Sequence, residues 1–248
     1  MSRINIVLLT YSRSEYLYEQ LQSLENQTVS DRITVHIINN NIDLKDNLKK
    51  IINKINSIKI KFIQRDNSKI CFERFYYVRD YLLDDSLEHV IFIDDDQIYA
   101  PDQIEKMINL YESKTFCTWY GRQFDKDKDP KEWYTKTPQY CFDNSNSEIK
   151  LYDYGGPGFS IIDANIFAKE SPLWDFENWE DLDNKIPYSM DDVMLSWTVK
   201  GLKGWKIKRS FNPPKKIFKD KKAISKPLNK SGAKPNFVIY LHSKRSFI

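Results

Sequence analysis

The sequence has few of the residues that mark extended or cross-linked chains. Only 7 glycines and 10 prolines occur among its 248 residues, which excludes a collagen-like or linker-rich chain. Its three cysteines, Cys71, Cys117 and Cys141, are an odd number without metal-like spacing. Free thiols in a reducing compartment are the simplest interpretation, so we expect a cytoplasmic protein.

Long apolar runs are also missing. No run reaches the roughly 18–20 residues that a membrane helix needs. The apolar segment near the N-terminus, INIVLLT, is too short for a signal peptide and is better interpreted as a first β-strand. With 41% hydrophobic and 14% aromatic residues, the chain has enough apolar side chains for one large domain.

The chain has little net charge overall, but one segment of it is strongly basic. The 38 basic and 35 acidic residues nearly cancel, leaving a net charge of +3. Between Lys203 and Lys234, however, twelve Lys or Arg residues accompany a single acidic residue, Asp220. Such a segment can contact phosphates, nucleic acid or an anionic membrane, and it can equally be a solvated basic loop.

Strand and helix patterns alternate through the first half of the chain. The segments INIVLLT, ITVHIIN, IKIKFIQ and HVIFID have the apolar and β-branched composition of strands. Helical patterns lie between them, namely one that Ser14 can cap, LKDNLKKIINKIN, and CFERFYYVRDYLL with an aromatic stripe that we expect in the core; another follows Pro101. This order predicts an α/β fold with right-handed crossovers and a mainly parallel sheet covered on both faces.

The second half of the chain is less regular. TFCTWYG and the end of GGPGFSIID can form strands, and SMDDVMLSWTVKG predicts a short helix that Gly201 ends. NFVIYLH predicts a late strand after the basic segment.

Three adjacent aspartates, Asp94, Asp95 and Asp96, follow the fourth predicted strand. Ligands of open parallel α/β sheets bind beyond the C-terminal ends of the strands. Side chains two apart in an extended segment point the same way, so Asp94 and Asp96 can share a face while Asp95 turns from it. Such paired oxygen ligands suit a Mg²⁺ or Mn²⁺ ion that also takes substrate phosphate oxygens. The alternative is a polar turn with helix-capping aspartates.

The pairing of IVLLTYSR at the start with IFIDDDQIY after the fourth strand resembles the GT-A nucleotide-sugar glycosyltransferases, especially family 2-like members. The resemblance implies a Rossmann-like three-layer α/β sandwich with a mainly parallel central sheet. It also implies that residues 1–248 form a single domain, with a nucleotide-binding half of about residues 1–100 and an acceptor half of about residues 101–248.

The resemblance further assigns residues to the donor site. The family's Asp-x-Asp motif would be Asp94 to Asp96, with Mn²⁺ or Mg²⁺ held by Asp96 and Asp94. The donor-binding residues it implies are Thr10, Tyr11, Arg13, Asn40, Arg74, Asp94 and Asp95. Tyr11 is available to stack on the nucleobase. Where the family often has an acidic residue for uridine, this sequence has Asn40 between two further asparagines, so the base stays open, with a UDP-sugar favoured.

A second acidic pair, Asp191 and Asp192, lies at the first turn of the helix in SMDDVMLSWTVKG. Helix capping is the simpler explanation of these two residues. Inverting GT-A enzymes, however, have a Gly-Gly-x-Gly-like acceptor loop before an acidic pair at a helix start, and GGPGFSII upstream of DDVMLSW looks like this arrangement, with fringe-like as well as family 2 features. The resemblance makes Asp192 the favoured general base, with Asp191 as the alternative. The acceptor-binding residues it implies are Gly155, Gly156 and Gly158.

The C-terminal region completes the predicted site. Many GT-A enzymes complete the metal shell with a C-terminal histidine, and His242, after the last predicted strand, matches that position. The other two histidines, His36 and His89, lie in predicted strands, where a structural role is expected. The basic segment would then be a flexible loop that orders over the bound donor and excludes water.

The resemblance thus implies a metal-dependent hexosyltransferase of the inverting kind. It would move a sugar from a nucleotide-diphosphate donor to a hydroxyl of a glycan, a protein or a small molecule, without nucleic acid as a partner. One alternative is a sugar nucleotidyltransferase, but TYSRSEY after the first strand lacks the glycine-rich phosphate loop expected there. A non-catalytic basic binding module is the other, and it leaves both aspartate clusters unexplained.

Overall fold

The fold is built around an eight-stranded sheet. A computed structural model of the protein describes residues 3–84, 86–137, 139–140, 150–183, 185–210, 212–218 and 232–245. The strands, in chain order, are β1 (Ile4–Thr10), β2 (Ile33–Asn39), β3 (Lys59–Gln64), β4 (His89–Asp94), β5 (Gln97–Ile98), β6 (Thr115–Thr118), β7 (Gly121–Arg122), β8 (Gln139–Tyr140), β9 (Leu151–Tyr152), β10 (Tyr154–Gly155), β11 (Ser160–Asp163), β12 (Lys206–Arg209) and β13 (Lys216–Ile217).

The large sheet has the strand order β3-β2-β1-β4-β11-β6-β12-β9. Strands β1 to β4 are mutually parallel where they pair, which confirms the predicted parallel arrangement of the first half. Strand β11 runs antiparallel to both of its neighbours, β4 and β6, and β9 runs antiparallel to β12. The predicted α/β sheet is therefore confirmed, and its second half is mixed.

Helices cover both faces of this sheet. They are α1 (Leu17–Glu25), α2 (Lys45–Ile52), α3 (Glu73–Tyr77), α4 (Gln103–Ile108), α5 (Pro130–Lys136), α6 (Lys185–Ser189), α7 (Asp191–Gly201) and α8 (Ala233–Lys244). Alternate residues of each strand point to opposite faces, and they enter two separate hydrophobic clusters. Val90 and Phe92 of β4 pack in the cluster beneath α3, α7 and α8, whereas Ile91 and Ile93 pack in the cluster beneath α1, α2 and α4. These clusters make the three-layer sandwich that was predicted.

Two helical segments differ from the prediction. The segment CFERFYYVRDYLL is helical but is not one regular α-helix. A 3₁₀ turn (Ile70–Phe72) precedes α3, and a short π-helix (Val78–Leu82) follows it. Its aromatic side chains from Phe72 to Tyr77 are buried, as expected, whereas Tyr81 is 62% exposed. At the start of the chain, Ser14 does not act as a cap, since it is itself the first residue of a 3₁₀ turn without a side-chain cap hydrogen bond.

The largest error concerns the C-terminal region. NFVIYLH was predicted as a strand, but it lies within α8. A short apolar run does not distinguish a strand from a buried helix by periodicity alone, and Pro235 in the first turn of α8 is a helix-start signal that outweighs it. The basic segment between Lys203 and Lys234 is not one loop either, because it contains β12 and β13; its residues 219–231 lie outside the described part of the chain.

None of the helices in the described ranges is long and apolar enough to cross a membrane.

Candidate active site

The predicted site residues of the first half meet at one edge of the sheet. In the register of the parallel strands, Thr10 at the end of β1 pairs with Asn39 at the end of β2. Leu9 pairs with Asp94, the last residue of β4. The C-terminal ends of the three strands therefore place Thr10, Asn39 and Asp94 together, as the alternating pattern predicted.

The three β4 aspartates (Asp94, Asp95 and Asp96) have different environments. The exposed fractions of their side chains are 40%, 6% and 17%. Strand β4 ends at Asp94, and the next two residues form a turn, so the alternation assumed for an extended segment stops there. The guanidinium of Arg13 bridges the other two aspartates, with a nitrogen 2.8 Å from Asp95 Oδ1 and a hydrogen bond to Asp96 Oδ2.

Burial shapes the charge of this cluster. It raises the pKa of Asp95 to about 7, an increase that the nearby Arg13 opposes. The pKa of Asp96 is raised to about 6, by burial first and by the charge of Asp94 next. The carboxylates thus repel one another, as expected for like charges in a partly buried site. An added cation would relieve this repulsion.

Arg74 connects the two acidic clusters of the molecule. Its side chain is buried in α3, and its guanidinium lies 3.3 Å from Asp94 Oδ1 and 3.1 Å from Asp191 Oδ2. Burial opposes its charge, but the carboxylates of Asp191 and Asp94 outweigh burial and raise its pKa. The same side chain also donates to the carbonyl of Cys71 at 3.3 Å. Arg74 is therefore a fixed cation shared by both clusters, and its bonds tie it to protein carboxylates.

The two α7 aspartates (Asp191 and Asp192) begin α7. Asp191 is buried, which raises its pKa to about 6 against the effect of Arg74. Asp192 Oδ2 accepts hydrogen bonds from the hydroxyl of Tyr154 and from the ammonium of Lys234. Helix capping does not account for this pair, because Asp191 and Asp192 are the first helical residues rather than the cap and their carboxylates form buried ion pairs with Arg74 and Lys234.

The glycine loop between β10 and β11 runs past the β4 aspartates. A Cβ at Gly158 would lie 2.0 Å from Asp94 Oδ2, so only glycine leaves room for this carboxylate in its observed position. The next residue, Phe159, has φ of 57° and is fully buried. A bulky residue in the left-handed region is held there by its surroundings. The loop is therefore built to approach Asp94 closely.

The other two glycines of this loop are packed against protein atoms. The backbone N–H of Gly155 donates to the hydroxyl of Ser196 on α7 at 3.0 Å. Gly156 donates to the carbonyl of Tyr120 at 3.0 Å and accepts from the hydroxyl of Thr118 at 2.6 Å. These bonds fix the loop against α7 and the sheet, which supports a positioning role for Gly155 and Gly156.

The asparagines after β2 are largely used within their own loop. Asn39 donates to the carbonyl of Asn41 at 2.6 Å, and Asn41 donates to the carbonyl of Tyr11 at 3.0 Å. Asn40 donates to the carbonyl of Ile70 at 2.8 Å, while its buried Oδ1 has no hydrogen-bond partner among the described residues. Asn40 therefore has one buried acceptor without a partner in the described part of the chain, and Tyr11, whose carbonyl accepts from Asn41, is about half exposed.

The predicted metal-binding trio is not assembled. His242 lies in α8, and its ring packs edge-on against Trp133 with the centroids 4.9 Å apart. Within the described ranges, no group of three or more His, Cys, Asp or Glu side chains is arranged to hold a metal ion. The expectation for His242 assumed that it follows a strand, and the helix directs it elsewhere.

Part of the basic segment, strand β13 and the residue after it, contacts the chain next to the β4 aspartates. Strand β13 pairs with β5, directly after these aspartates. The backbone N–H of Phe218 donates to the carbonyl of Asp96 at 2.8 Å, and its ring stacks on Tyr16 at 4.0 Å between centroids. This contact, together with Tyr154 and Lys234, was missed in the sequence. Lys234 is one of many lysines in a basic segment, and only the start of α8 next to it marks it out.

The family of the chain follows from its match to a known sequence model. The model of glycosyl transferase family 2 matches residues 5–170. The chain therefore belongs to glycosyl transferase family 2. No curated protein has a sequence that matches it significantly.

Solved structures with the same fold support the GT-A prediction. Mannosyltransferase PcManGT from Pyrobaculum calidifontis, solved in complex with GDP-Man and Mn²⁺, aligns over 99% of this chain and 69% of its own, with a TM-score of 0.58 and 12% identity. GalNAc-T7, solved with UDP, GalNAc and Mn²⁺, aligns over 84% of this chain and 42% of its own, with a TM-score of 0.56 and 12% identity. At such low identity, these likenesses establish the fold, and the GT-A architecture is confirmed.

Proposed function

We propose that this glycosyltransferase uses a divalent metal ion and transfers a sugar, with inversion, from a nucleotide-diphosphate donor to a hydroxyl acceptor. The observation that carries this proposal is the position of Arg74 between Asp94 and Asp191. It joins a carboxylate cluster suited to a metal-bound diphosphate to a carboxylate pair suited to proton transfer. One site thus has groups for binding the donor diphosphate and groups for proton transfer, as expected of an enzyme and not of a binding module.

The β4 aspartates fit a divalent cation. Asp94 is the most exposed of the three, its Oδ1 contacts Arg74, and its Oδ2 lies against Gly158. Mn²⁺ or Mg²⁺ commonly binds to one or two carboxylates, waters and substrate phosphates. We propose that Asp94 and Asp96 hold the ion, without His242. The ion would supply charge neutralisation of the leaving diphosphate.

Asp192 is the proposed general base, with Asp191 as the alternative. An acceptor hydroxyl attacks the anomeric carbon and forms the new C–O bond, while its proton passes to the carboxylate of the base. The bond from the anomeric carbon to the diphosphate oxygen breaks, and its electron pair leaves with the diphosphate. A single displacement of this kind inverts the anomeric configuration, and general-base help contributes roughly 10²–10⁴-fold.

The donor would lie across the ends of β1, β2 and β4. We propose that Tyr11 stacks on the nucleobase and that the unpartnered Oδ1 of Asn40 accepts a hydrogen bond from the base or ribose. Thr10, the last residue of β1, is buried next to Tyr11 in the chain. Arg13 and Arg74 are tied to the aspartates, so we propose that they set the charge around the diphosphate. A UDP-sugar is favoured, although GDP-Man is the ligand named for PcManGT.

The remaining assignments concern the second half of the chain. We propose that residues from about 101 onward form the acceptor half of a single domain, and that the loop with Gly155, Gly156 and Gly158 lies beside the acceptor hydroxyl. The hydrogen bonds of this loop to Ser196 and its closeness to Asp94 support that position. A glycan, a protein or a small molecule can provide the hydroxyl.

Thermal unfolding tests the donor site directly. The wild-type protein is heated with UDP, GDP or CMP, each with and without Mn²⁺. A ligand at 100 times its Kd adds about 2.7 kcal/mol to the free energy of unfolding, which shifts the midpoint visibly. We expect stabilisation by one nucleotide that depends on Mn²⁺ and is lost in Asp96→Ala. Absence of any shift would contradict the proposed donor site.

A further inference from the structure

Lys234 is a buried lysine in a helix whose other described cations lie nearer the surface. Its side chain is 6% exposed, and its ammonium bonds to Asp192 Oδ2 on α7. By contrast, Lys244 at the end of the same helix pairs with the exposed Asp181 at 3.1 Å. Lysine is almost never fully buried unless it is paired. The position of Lys234 therefore calls for an explanation in terms of Asp192.

The bonds to Asp192 come from three different elements. Lys234 on α8 and the hydroxyl of Tyr154 on β10 both donate to Oδ2, and the backbone N–H of Val193 donates to Oδ1 at 2.8 Å. Two donors on one oxygen and one on the other fix the plane of the carboxylate. Oδ1 keeps a lone pair, because each carboxylate oxygen accepts about two hydrogen bonds.

Asp192 and Asp191 have separate cations. The ammonium that contacts Asp192 is that of Lys234, whereas the guanidinium of Arg74 contacts Asp191. Other titratable groups around this pair are Tyr120, Tyr154 and Cys71. Burial raises the pKa of each of these three side chains. Another phenol, that of Tyr134, has its ring centroid 5.5 Å from the Lys234 ammonium nitrogen. Asp191 and Asp192 are thus the carboxyl groups of this set, and burial raises the pKa of Asp191 to about 6.

We propose that Lys234 is a positioning residue that keeps Asp192 ionised and oriented to accept the proton of the attacking hydroxyl. This inference rests on the proposed function, because it concerns the base of that reaction. A buried carboxylate without a cation takes up a proton at higher pH, and a protonated Asp192 cannot accept another. The contribution of α8 to the site is then electrostatic as well as structural.

The test is the pH profile of donor hydrolysis. With Mn²⁺ and water as the acceptor, release of nucleoside diphosphate from UDP-glucose and from GDP-mannose is measured as kcat/KM, whose acid limb reports the base of the free enzyme. In Lys234→Met, we expect this limb to move to higher pH by at least about one unit, a tenfold weaker acid. Lys234→Arg should keep the limb near that of the wild type.

The matched control is Lys244→Met, the same change on the same helix at the Asp181 pair. It should leave the acid limb in place. A purely structural role of Lys234 would lower kcat/KM equally at all pH values with an unmoved limb, and that result would overturn the inference. If Lys234→Met does not fold, Lys234→Gln, which keeps a neutral amide donor, replaces it with the same expected shift.

Two further outcomes separate the inference from neighbouring explanations. Asp191 also titrates in this range, so the Lys234→Met comparison is repeated in an Asp191→Asn background. A shift that disappears there, or an inactive Asp191→Asn protein, would assign the limb to Asp191 and overturn the inference. Wild-type protein that releases no nucleotide from either donor would overturn the proposed function itself, and the inference with it.

Discussion

The β4 aspartates and the α7 aspartates balance their charges in different ways. Three carboxylates share the two guanidiniums of Arg13 and Arg74 on the first side, and Asp94 keeps 40% of its side chain exposed. On the second side, two carboxylates contact two buried cations, Lys234 at Asp192 and the shared Arg74 at Asp191. The first cluster therefore has the larger excess of negative charge and the more exposed carboxylate, whereas the second has one contacting cation for each carboxylate.

This difference matches two different tasks. A cluster with excess negative charge and an accessible oxygen can bind a cation that arrives with the donor. A carboxylate that must accept a proton at neutral pH needs a nearby positive charge to stay ionised in a buried place. Variants that affect one cluster and spare the other should therefore separate donor binding from turnover.

The largest effect is expected from Asp192→Asn. This change removes the proposed base while keeping the shape of the side chain, so turnover should fall about 10²–10⁴-fold. Stabilisation by the nucleotide and Mn²⁺ should remain, because the β4 aspartates are untouched. In Asp96→Ala, turnover and that stabilisation should both be lost. Steady-state rates and unfolding midpoints measure the contrast, and an Asp192→Asn protein that no longer responds to nucleotide would remove it.

The next largest effect is expected from Arg74→Met, which acts on both clusters. Removing one partner of a buried ion pair costs about 3–5 kcal/mol, because the other charge stays buried and unpaired. We expect the free energy of unfolding in urea to fall by this amount. The double variant with Asp191→Asn should recover part of the loss. If the single and double variants were equally destabilised, an unpaired carboxylate at Asp191 would not be a cause of the lost stability.

A pH effect of similar or smaller size should come from His36, which lies outside both clusters. It is fully buried between Asn5 and Tyr77, and burial lowers its pKa from 6.5 to about 4. The unfolded chain therefore takes up this proton first, so stability is complete above about pH 6.5 and falls by up to about 3 kcal/mol towards pH 4. His36→Gln should remove that loss. The raised carboxyl pKa values of Asp95 and Asp96 act in the opposite direction.

Urea unfolding of the wild type and His36→Gln between about pH 4 and pH 8 measures this difference. Above about pH 7, the free energies of unfolding of the two proteins should differ by a constant amount. Below that pH, the difference should change as the pH falls. Parallel curves over the whole range would contradict the assignment to His36.

The smallest effect on stability is expected from Gly158→Ala. Its new Cβ would meet Oδ2 of Asp94, the end of a side chain that is free to turn away, so we expect a loss of at most about 1 kcal/mol. Binding of nucleotide and Mn²⁺ should weaken. Gly155→Ala is the matched comparison, since its Cβ would lie 2.6 Å from Thr118 Cγ2 and 3.1 Å from Ile207 Cγ2 inside the core. It should cost about 1–3 kcal/mol and leave the nucleotide response intact.

Both glycine variants are measured by urea unfolding and by the Mn²⁺-dependent shift in the thermal midpoint. A Gly158→Ala protein with a full nucleotide response would show that the position of Asp94 beside this loop is unimportant for the donor.

The first half of the fold was predictable from local patterns. Strands β1, β2 and β4 are short apolar runs, β3 alternates polar and apolar residues, and strands that alternate with helical segments in this way predict a parallel sheet. The location of Asp94 follows directly, because it is the polar residue that ends the apolar run of β4. Local pattern and tertiary structure agree in this half.

The charge partners of the site were not predictable in the same way. Arg74 and Asp191, or Lys234 and Asp192, are distant in sequence, and their pairing depends on how the helices pack. Lys234 was also hidden by the wrong assignment of NFVIYLH, whose apolar residues suit a strand as well as a buried helix. Arg13 was expected among the donor-binding residues, and the sequence did not predict that its guanidinium contacts the β4 aspartates.

Strand β11 has a consequence for the order in which the protein can fold. It is the strand that joins β4 to β6, and these two have no direct pairing with each other. The parallel strands β3-β2-β1-β4 can therefore pair as soon as they leave the ribosome, whereas β6 must wait until β11, which is made later, reaches the sheet. Until then, the edge of β4 that faces away from β1 stays unpaired, and an open edge of this kind is a template for association with other chains. The antiparallel insertion of β11 thus covers an edge at which the nascent protein could otherwise aggregate.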